Sequence, residues 1–348
     1  MCARHGEYLR RIIRRVKICL LGDFSANLDE GFKNISHHFA AGLEAGHDLI
    51  RIDIKQLSGS VFWESIRHAE PQLIHTIAQP TEQSLLFTKI LQLRWPSART
   101  VVSALCPERL FENGAISPRQ KIFIQIARPD LVLVQSSDAA EKFKSLGCCV
   151  KYLPNGVDLG RFRPASKSQK LHLRRKYCLS PHQPVVLHVG HLETARNLSA
   201  LISLPVNNIQ IVVAGSTCMG VDHQLLGKLQ DAGFIVFEGY NSHIEELYML
   251  ADCYVFPVQP GDSISMPLSV LEAMACNLPV VTTCFKGLTN FFDQSSSFKY
   301  IDETDDLLEH IESVLYSSQP SITSKMVNAY SWDSVVNQLE NYYCELSA

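Results

Sequence analysis

The stretch ISMPLSVLEAMACNLPVV, residues 264–281, decides the fold class of this chain. Its middle part, Val270–Cys276, has the apolar and small residues of a buried helix. Pro279–Thr283 then gives a short apolar run, typical of a strand that is buried on both faces. A buried strand that directly follows a helix indicates a parallel sheet with helical crossovers, so the stretch predicts an α/β fold.

The same alternation of strands and helices runs through both halves of the chain. The predicted strands are Val16–Leu21, Asp48–Ile54, Leu73–Ile77, Thr100–Leu105 and Leu131–Gln135 in the first half, and Pro184–Val189, Ile209–Ala214, Ile235–Phe237, Cys253–Pro257 and Pro279–Thr283 in the second. The predicted helices are Phe32–Ala45, Leu198–Ser203, 222–232, Ile244–Leu250, Val270–Cys276 and Ser331–Leu346.

The length of the chain predicts two domains, because 348 residues exceed what one hydrophobic core usually serves. We expect an N-terminal Rossmann-like domain on the acceptor side of a cleft over residues 1–160 and a second Rossmann-like domain over 161–330. A stretch near Leu159–Ser180 would join them. A C-terminal helix over 331–348 could pack back on the first domain. Ligands of such sheets bind beyond the carboxyl ends of the strands, which here would face each other across the cleft.

Composition and charge exclude several classes of protein. Hydrophobic residues make up 46% and charged residues 19%, which excludes disordered, collagen-like and coiled-coil chains. No apolar run reaches the roughly 20 residues of a membrane span. Residues 1–160 carry a net charge of +4 and residues 161–348 one of −7. This asymmetry is too mild for a duplex-DNA binder, so no nucleic-acid partner is expected.

Cysteine and histidine usage gives no sign of disulfide or metal chemistry. The 11 cysteines are scattered without a C-x-x-C pair, and the 13 histidines form neither H-E-x-x-H nor zinc-finger spacing. A reducing, cytoplasmic location and no metal site are therefore expected.

Basic residues are concentrated at the start of the chain: Arg4, Arg10, Arg11, Arg14, Arg15 and Lys17. One interpretation is a solvated leader or helix face. The other is a patch that contacts anionic lipid headgroups, which would place the protein at the inner face of the membrane.

Common phosphate-binding and hydrolase signatures are missing. The sequence has no G-x-x-x-x-G-K-[ST], no G-x-G-x-x-G after a strand and no G-x-S-x-G. If the protein binds phosphate, we expect the loops at the strand ends of the second half to bind it.

Four stretches between about Leu131 and Trp332 occur in an informative order: Pro154–Asp158 with Arg161–Pro164, Val189–Asn197, Gly239-Tyr240 with Ile244–Phe256, and Ile264–Val281. Together they resemble the carboxy-terminal half of retaining glycosyltransferases of family four, the glycosyltransferase group 1 type. That family has the GT-B architecture of two facing Rossmann-like domains with parallel sheets and an inter-domain cleft. In the first half the resemblance is limited to Asp29-Glu30-Gly31, Gly46-His47 and His75.

The resemblance implies a set of site residues, and elementary chemistry supports it. Unpaired amides at a helix start attract an anion, and a diphosphate leaving group needs such donors and a cation. Arg196 stands where the family usually has a diphosphate-binding lysine, and a guanidinium can chelate phosphate. Glu272 matches the family's second glutamate, which grips ribose hydroxyls. His191 would assist Arg196, so these three are the expected catalytic residues.

The resemblance also implies donor and acceptor contacts. The expected donor-binding residues are Gly190, Gly215, Tyr240, Asp262, Ser265, Met266 and Leu268. The acceptor-side candidates are Glu30, Gly31 and His75.

Plainer interpretations remain open for several of these residues. Ser269 and Glu272 have the spacing of a capping box, so Glu272 could satisfy only backbone amides. Arg196 could be a surface partner of Glu193. Pro154–Asp158 could be only a turn. His75 could be a packed histidine.

The sequence departs from the family at four positions. Ile264 stands where the first glutamate of the family's pair belongs, and Asp262 is two residues out of register. His191 replaces an arginine, and Leu105 replaces a histidine at a strand end. Pro267 occupies a glycine position and has no amide to donate. Each lost charged hydrogen bond costs roughly 1.5–3 kcal/mol.

The expected function is a retaining, hexosyltransferase-like transfer from a UDP-, GDP- or ADP-sugar to a hydroxyl group of a glycan, lipid or small molecule, with no metal and no cofactor. The alternatives are a non-catalytic glycosyltransferase-like module that binds a nucleotide sugar or a partner subunit, and a nucleotide-sugar epimerase of similar architecture. Contact with an anionic membrane is a further expectation for a lipid-linked acceptor.

Overall fold

The computed structural model describes residues 15–25, 28–56, 63–64, 67, 70–111, 116–204, 208–216, 220, 222–258, 264–302 and 307–347. These residues contain two six-stranded sheets, and every strand pair in both sheets is parallel. Helices pack against both sheets. The predicted α/β class with parallel sheets is confirmed.

The first sheet lies in the N-terminal half. Its strands are β1 (Lys17–Gly22), β2 (Asp48–Asp53), β3 (Leu73–Ala78), β4 (Arg99–Ala104), β5 (Leu131–Val134) and β6 (Val150–Tyr152), in the order β2-β1-β3-β4-β5-β6. Its helices are α1 (Gly31–Glu44), α2 (Glu82–Arg94), α3 (Pro118–Ile126) and α4 (Ser137–Ser145). Every residue of β5 is buried, as expected for a central strand of a sheet that is covered on both faces.

The second sheet follows after helix α5 (Lys167–Lys176). Its strands are β7 (Val185–His191), β8 (Gln210–Ser216), β9 (Ile235–Glu238), β10 (Cys253–Phe256), β11 (Val280–Thr283) and β12 (Phe298–Ile301), in the order β12-β11-β10-β7-β8-β9. The accompanying helices are α6 (His223–Asp231), α7 (Ile244–Leu250), α8 (Leu268–Ala275), α9 (Lys286–Thr289), α10 (Leu307–Leu315) and α11 (Thr323–Val327). Thr194–Arg196 and Leu198–Ser203 are 3-10 turns, and the latter was predicted simply as a helix.

The last helix, α12 (Trp332–Ser347), packs on α1 of the first half. The two chain crossings between the halves are hydrogen-bonded, because the Val157 amide donates to the Tyr330 carbonyl and the Trp332 amide to the Val157 carbonyl. A Cβ at Gly156 would lie 2.5 Å from Trp332, so only glycine allows this close crossing. The domain boundaries at 160 and 330 stay predictions.

Two further observations bear on the class of protein. The cysteines of the described residues are all free thiols. No helix in the described part combines the length and apolar character needed to cross a bilayer.

Candidate active site

A cavity of about 560 Å³ lies where the carboxyl ends of the two sheets face each other. From the first sheet it is lined by the start of α1 and by residues that follow β3, β4 and β5. From the second sheet it is lined by the ends of β7, β8 and β10 and by the turn after β9. Both sheets reverse their strand order here, between β1 and β3 and between β7 and β10, which is where doubly wound sheets bind ligands.

The cavity brings together most of the predicted site residues: Glu30, Gly31, Gly190, His191, Arg196, Tyr240, Ser265, Met266, Leu268 and Glu272. Asp262 lies outside the described residues. Gly215 and His75 do not line the cavity.

Glu272 is held inside the second half at the wall of this cavity. Its carboxylate accepts a hydrogen bond of 2.8 Å from the Tyr248 hydroxyl. Burial raises the pKa of Glu272 to about 7. The predicted capping box is not formed, since α8 begins at Leu268 with Pro267 as its cap and Ser269 lies inside the first turn. Glu272 is therefore available to a ligand of the cavity rather than to the helix start.

The loop before α8 places a helix start and a buried hydroxyl at the cavity. Ser265 is 2% exposed, and its Oγ has no hydrogen-bond partner among the described residues. The amides of the first turn of a helix are also unsatisfied by the helix itself. This corner of the cavity thus offers several hydrogen-bond donors to an anion.

A chain of buried amides ties this loop to the first half. The Gln135 side chain donates to the Asn155 Oδ1 at 2.7 Å, and the Asn155 Nδ2 donates to the Met266 carbonyl at 2.7 Å. The backbone N–H of Asn155 also donates to the Met266 Sδ, 3.3 Å away. Pro154–Asp158 is therefore more than a turn, because Asn155 fixes the approach to α8 relative to β5.

Arg196 reaches the cavity from the turn that follows β7. Its backbone amide donates to the Glu193 carbonyl at 3.0 Å, and the next residue, Asn197, adopts φ of 53°, which turns the chain back. The side chain is half-buried. Arg161 is a second cation at the cavity, and its Nε donates to Glu245 at 2.8 Å.

His191, the last residue of β7, stands where the family has an arginine but does not supply a positive charge. Burial and the neighbouring Arg196 both lower its pKa below the ordinary value of 6.5. The imidazole is therefore neutral at pH 7, and Arg196 acts without a second cation from this position. The help that His191 was expected to give Arg196 would therefore come from a neutral imidazole.

Gly215 and His75 take structural places instead of the predicted ligand contacts. A Cβ at Gly215 would lie 2.1 Å from the Leu192 side chain, so this glycine makes room for Leu192 while Ala214 and Ser216 line the cavity. His75 is completely buried, with Nδ1 2.6 Å from the Tyr343 hydroxyl and Nε2 2.9 Å from Ser103 Oγ. Burial lowers the pKa of His75 to about 3, so it is a neutral core histidine.

The start of α1 faces the start of α8 across the cavity. A Cβ at Gly31 would lie 4.0 Å from Leu268 Cδ1, and Glu30 occupies the N-cap position of α1 without a side-chain capping bond and lines the cavity. Asp29 is held by Lys33 at 2.7 Å. The first half thus contributes the carboxylates of Asp29 and Glu30 to the cavity lining, opposite the start of α8.

Residues 183–316 match the family model described as "Glycosyl transferases group 1". The match lies entirely within the second half of the chain. The match covers less than half of the 348 residues.

Curated relatives extend the similarity over more of the chain. The D-inositol 3-phosphate glycosyltransferase of Actinosynnema mirum is 25% identical over 307 residues, which is 79% of this chain and 67% of the relative. The sulfoquinovosyl transferase SQD2 of Arabidopsis thaliana is 24% identical over 230 residues, 61% of this chain and 44% of the relative. Across the wider group of curated relatives to which the chain is similar, the aligned part covers from 36% to 69% of the relative's length.

Solved structures share the whole architecture. Sucrose-phosphate synthase from Thermosynechococcus elongatus superposes with a TM-score of 0.75 at 18% identity, covering 95% of this chain and 99% of the other. Anabaena HepE in complex with UDP-glucose superposes with a TM-score of 0.74 at 16% identity, covering 95% and 100%. The predicted GT-B architecture, two facing Rossmann-like units with parallel sheets, is confirmed.

The four positions at which the sequence departs from the family it resembles, His191, Leu105, Ile264 and Pro267, all line the cavity. Ile264, Leu105 and Pro267 line it together with Leu268 and Phe256. The wall is therefore more apolar here than the family pattern would make it, and Ser265 is the buried polar group in this loop.

Sequence reasoning missed several polar residues of the cavity, among them Gln79, Gln135, Asn155 and Arg161. Gln79 and Gln135 follow β3 and β5 directly, Asn155 was interpreted as part of a turn, and Arg161 was quoted without a role. The available signal was position, because a polar residue that directly follows a buried parallel strand lies at the ligand edge of the sheet.

Metal ligation has no geometric support in the described part of the chain. No group of three or more His, Cys, Asp or Glu side chains lies close enough there to hold a metal ion. Metal independence nonetheless stays a prediction.

Proposed function

We propose that this chain is a glycosyltransferase that moves a sugar from a nucleoside diphosphate to a hydroxyl group, with retention at the anomeric carbon and without a metal ion. The observation that carries the proposal is the meeting, in one cavity, of buried Glu272, Arg196 and the donor-rich start of α8. In this proposal Glu272 binds the ribose of the donor. Arg196 and the start of α8 bind the diphosphate, on which negative charge develops as it leaves.

The donor would lie along the carboxyl ends of the second sheet. Glu272 accepts hydrogen bonds from the ribose hydroxyls, and the backbone of Gly239-Tyr240 contacts the base. Arg196, the Ser265 hydroxyl and the first amides of α8 hold the diphosphate. Donors fixed at the place where charge develops stabilise a transition state, and loss of one typically costs a factor of about 10²–10³ in rate.

The reaction balances without a cofactor. The bond between the anomeric carbon and the diphosphate oxygen breaks, and a bond forms from the acceptor oxygen to the same carbon on the same face. The departing phosphate oxygen takes the acceptor proton. The products are the glycosylated acceptor and a nucleoside diphosphate.

Similar proteins suggest which donors to test first. Anabaena HepE was solved with UDP-glucose, and a starch synthase of the same fold from Arabidopsis thaliana was solved with ADP. Several curated relatives are named as glycosyltransferases, among them enzymes that use GDP-mannose. A panel of UDP-, GDP- and ADP-sugars therefore covers the plausible bases.

Nucleotide release from this panel tests the proposal, with simple glycosides, glycolipids and inositol phosphate as acceptors. We expect release with one base class and a loss of at least a hundredfold in Glu272→Gln and Arg196→Gln. The matched controls are Glu312→Gln and Arg175→Gln, which change exposed residues outside the cavity. Absence of release with every pair, or full activity in Glu272→Gln, contradicts the proposal.

A non-catalytic module that binds a nucleotide sugar or a partner subunit is the second candidate. Ile264, Leu105 and Pro267 favour it, because they put apolar groups at the cavity wall. Calorimetry that shows nucleoside diphosphate binding with no turnover in the panel supports this candidate over the enzyme. Isomerisation of the donor without an acceptor would instead indicate an epimerase.

A further inference from the structure

Helices α2 and α3 expose aliphatic side chains away from the core. On α2 the exposed residues are Leu86, Ile90 and Leu93, with exposed fractions of 47%, 43% and 69%. On α3 they are Ile122 and Ile126, at 60% and 66%. We call these five residues the aliphatic face.

The aliphatic face points to solvent because both helices bury other residues. Leu86, Ile90 and Leu93 follow the i, i+4, i+7 spacing of one helix stripe, whereas the buried side of α2 is Leu85, Thr88 and Leu91. On α3 the buried residue is Ile124, and Ile122 and Ile126 lie two residues to either side of it, on the opposite side of the helix. The helices contact each other, and Leu85 and Ile124 share one core cluster.

The charges on these two helices are mostly positive. Lys89 and Arg94 on α2 and Arg119 and Lys121 on α3 stand beside the aliphatic face. Arg94 continues the α2 stripe four residues after Ile90, and Arg119 lies three residues before Ile122. Glu82, at the start of α2, is the one carboxylate on the two helices.

Large aliphatic groups with a cationic margin fit an anionic lipid surface. Such groups enter the boundary between headgroups and acyl chains, while lysine and arginine extend their charges to the phosphates. A protein partner fits less well, since protein interfaces favour aromatic residues and are depleted in lysine. We propose that the face formed by α2 and α3 docks this protein on an anionic lipid bilayer.

The position of the face also relates it to the cavity. Gln79 lines the cavity, and α2 begins three residues later at Glu82. The aliphatic face thus begins on a helix whose first turn lies close to the cavity. The docking itself does not depend on the proposed transfer reaction, and the two fail separately.

Vesicle co-sedimentation of the full chain tests the docking. The vesicles are phosphatidylcholine alone and phosphatidylcholine with one third phosphatidylglycerol. We expect binding to the anionic vesicles, and a fall of about tenfold or more in Leu93→Gln/Ile122→Gln/Ile126→Gln and in Arg119→Glu/Lys121→Glu. The matched controls, Leu171→Gln/Tyr316→Gln/Ile322→Gln and Lys167→Glu/Arg175→Glu, change exposed residues elsewhere and should bind as the wild type does.

Three outcomes would overturn the proposal. The first is no binding to anionic vesicles. The second is unchanged binding in the aliphatic triple variant, with loss only in Arg10→Gln/Arg11→Gln/Arg14→Gln/Arg15→Gln, which would assign the contact to the start of the chain. The third is a wild-type dimer in sedimentation equilibrium that the triple variant converts to monomer, which would assign the face to a second copy.

Discussion

Glu272 is a carboxyl group whose ionisation is opposed by its surroundings. Burial raises its pKa to about 7, and the Tyr248 hydroxyl only partly offsets that burial. Between pH 4.5 and 7 the folded state therefore holds a proton that the unfolded state has lost, so this group makes the fold less stable as pH rises. A ligand that donates hydrogen bonds to the carboxylate would relieve this cost.

Glu272→Gln removes that titration. At one pKa unit per 1.4 kcal/mol, we expect the variant to gain about 2–4 kcal/mol relative to the wild type as pH rises from 4.5 to 7.5. Urea unfolding of both proteins at several pH values measures this difference. The buried histidines have lowered pKa values, so their contribution to stability rises with pH. They titrate in both proteins, and their contribution cancels in the difference between variant and wild type. A difference that does not change with pH would show that Glu272 is not buried in this way.

Asn155 is the second residue on which the cavity depends. Asn155→Ala leaves the Gln135 amide and the Met266 carbonyl buried without their partner. We expect a loss of about 1–3 kcal/mol in the free energy of unfolding, and a raised KM for the donor with a smaller change in kcat. The loss of stability alone, with an unchanged KM, would mean that Asn155 does not position the α8 loop. Asn328→Ala, at an exposed site of the second half, is the control.

At the scale of single elements, the loop before α8 is less stable than it need be. The Ser265 hydroxyl is buried and has no partner among the described residues, which costs about 1–3 kcal/mol in an empty site. Such an unsatisfied group in a cavity wall is expected where a ligand completes the hydrogen bond.

Ser265→Ala therefore separates stability from binding. We expect the ligand-free variant to be as stable as the wild type or more stable. Its affinity for a nucleoside diphosphate should fall about tenfold or more, because a hydrogen bond to a charged group is lost. Thermal unfolding with and without UDP, GDP or ADP measures both. A variant that is less stable when empty and binds equally well would place the Ser265 hydroxyl in an ordinary structural role.

Most elements could be predicted from the sequence, and the failures have physical causes. Each strand of the second sheet except β12 was predicted, because parallel strands are short apolar runs between turns. Helices α2 and α3 were missed because they carry apolar residues on both sides, so no single face stands out. Helix α5 was missed because Lys167–Lys176 is almost entirely polar. The capping pair of Ser166 and Gln169 was the signal that could have found it.

The candidate site was predictable where spacing along one element fixes it, as for Glu272 on α8. It was not predictable where burial decides the role of a residue. His75 ends in the core because Tyr343, 268 residues later, satisfies its ring nitrogen. The neutral state of His191 depends likewise on its depth and on Arg196, neither of which the sequence shows.

At the scale of the whole molecule, α12 holds the end of the chain on the first half. Trp332, Val336 and Tyr343 pack with Phe39 of α1, and Tyr343 contacts His75 at 2.6 Å. The end of the chain thus returns to the half in which it began. The two halves are joined by the hydrogen-bonded crossings at Val157 and Trp332, and the cavity lies between the halves.

Tyr343→Phe tests this long-range contact. The variant keeps the packing and removes the hydroxyl, which leaves one nitrogen of a buried histidine without its partner. We expect a loss of about 1–3 kcal/mol in the free energy of unfolding, while nucleotide affinity is unchanged. Tyr342→Phe, on the same helix, loses a bond to the Tyr152 carbonyl and one from the Gln338 side chain, but at a less buried site that water can reach, and should cost less. An equal or larger loss in Tyr342→Phe would contradict the role given to His75.

The central claim is that this cavity transfers a sugar from a nucleoside diphosphate with retention. The most direct measurement is proton NMR of the donor and product anomeric signals during incubation with the UDP-, GDP- and ADP-sugar panel. We predict that an α-linked donor gives an α-linked product together with free nucleoside diphosphate, and that Glu272→Gln and Arg196→Gln abolish both signals. A β-linked product, or donors that stay intact with every acceptor, would contradict the claim.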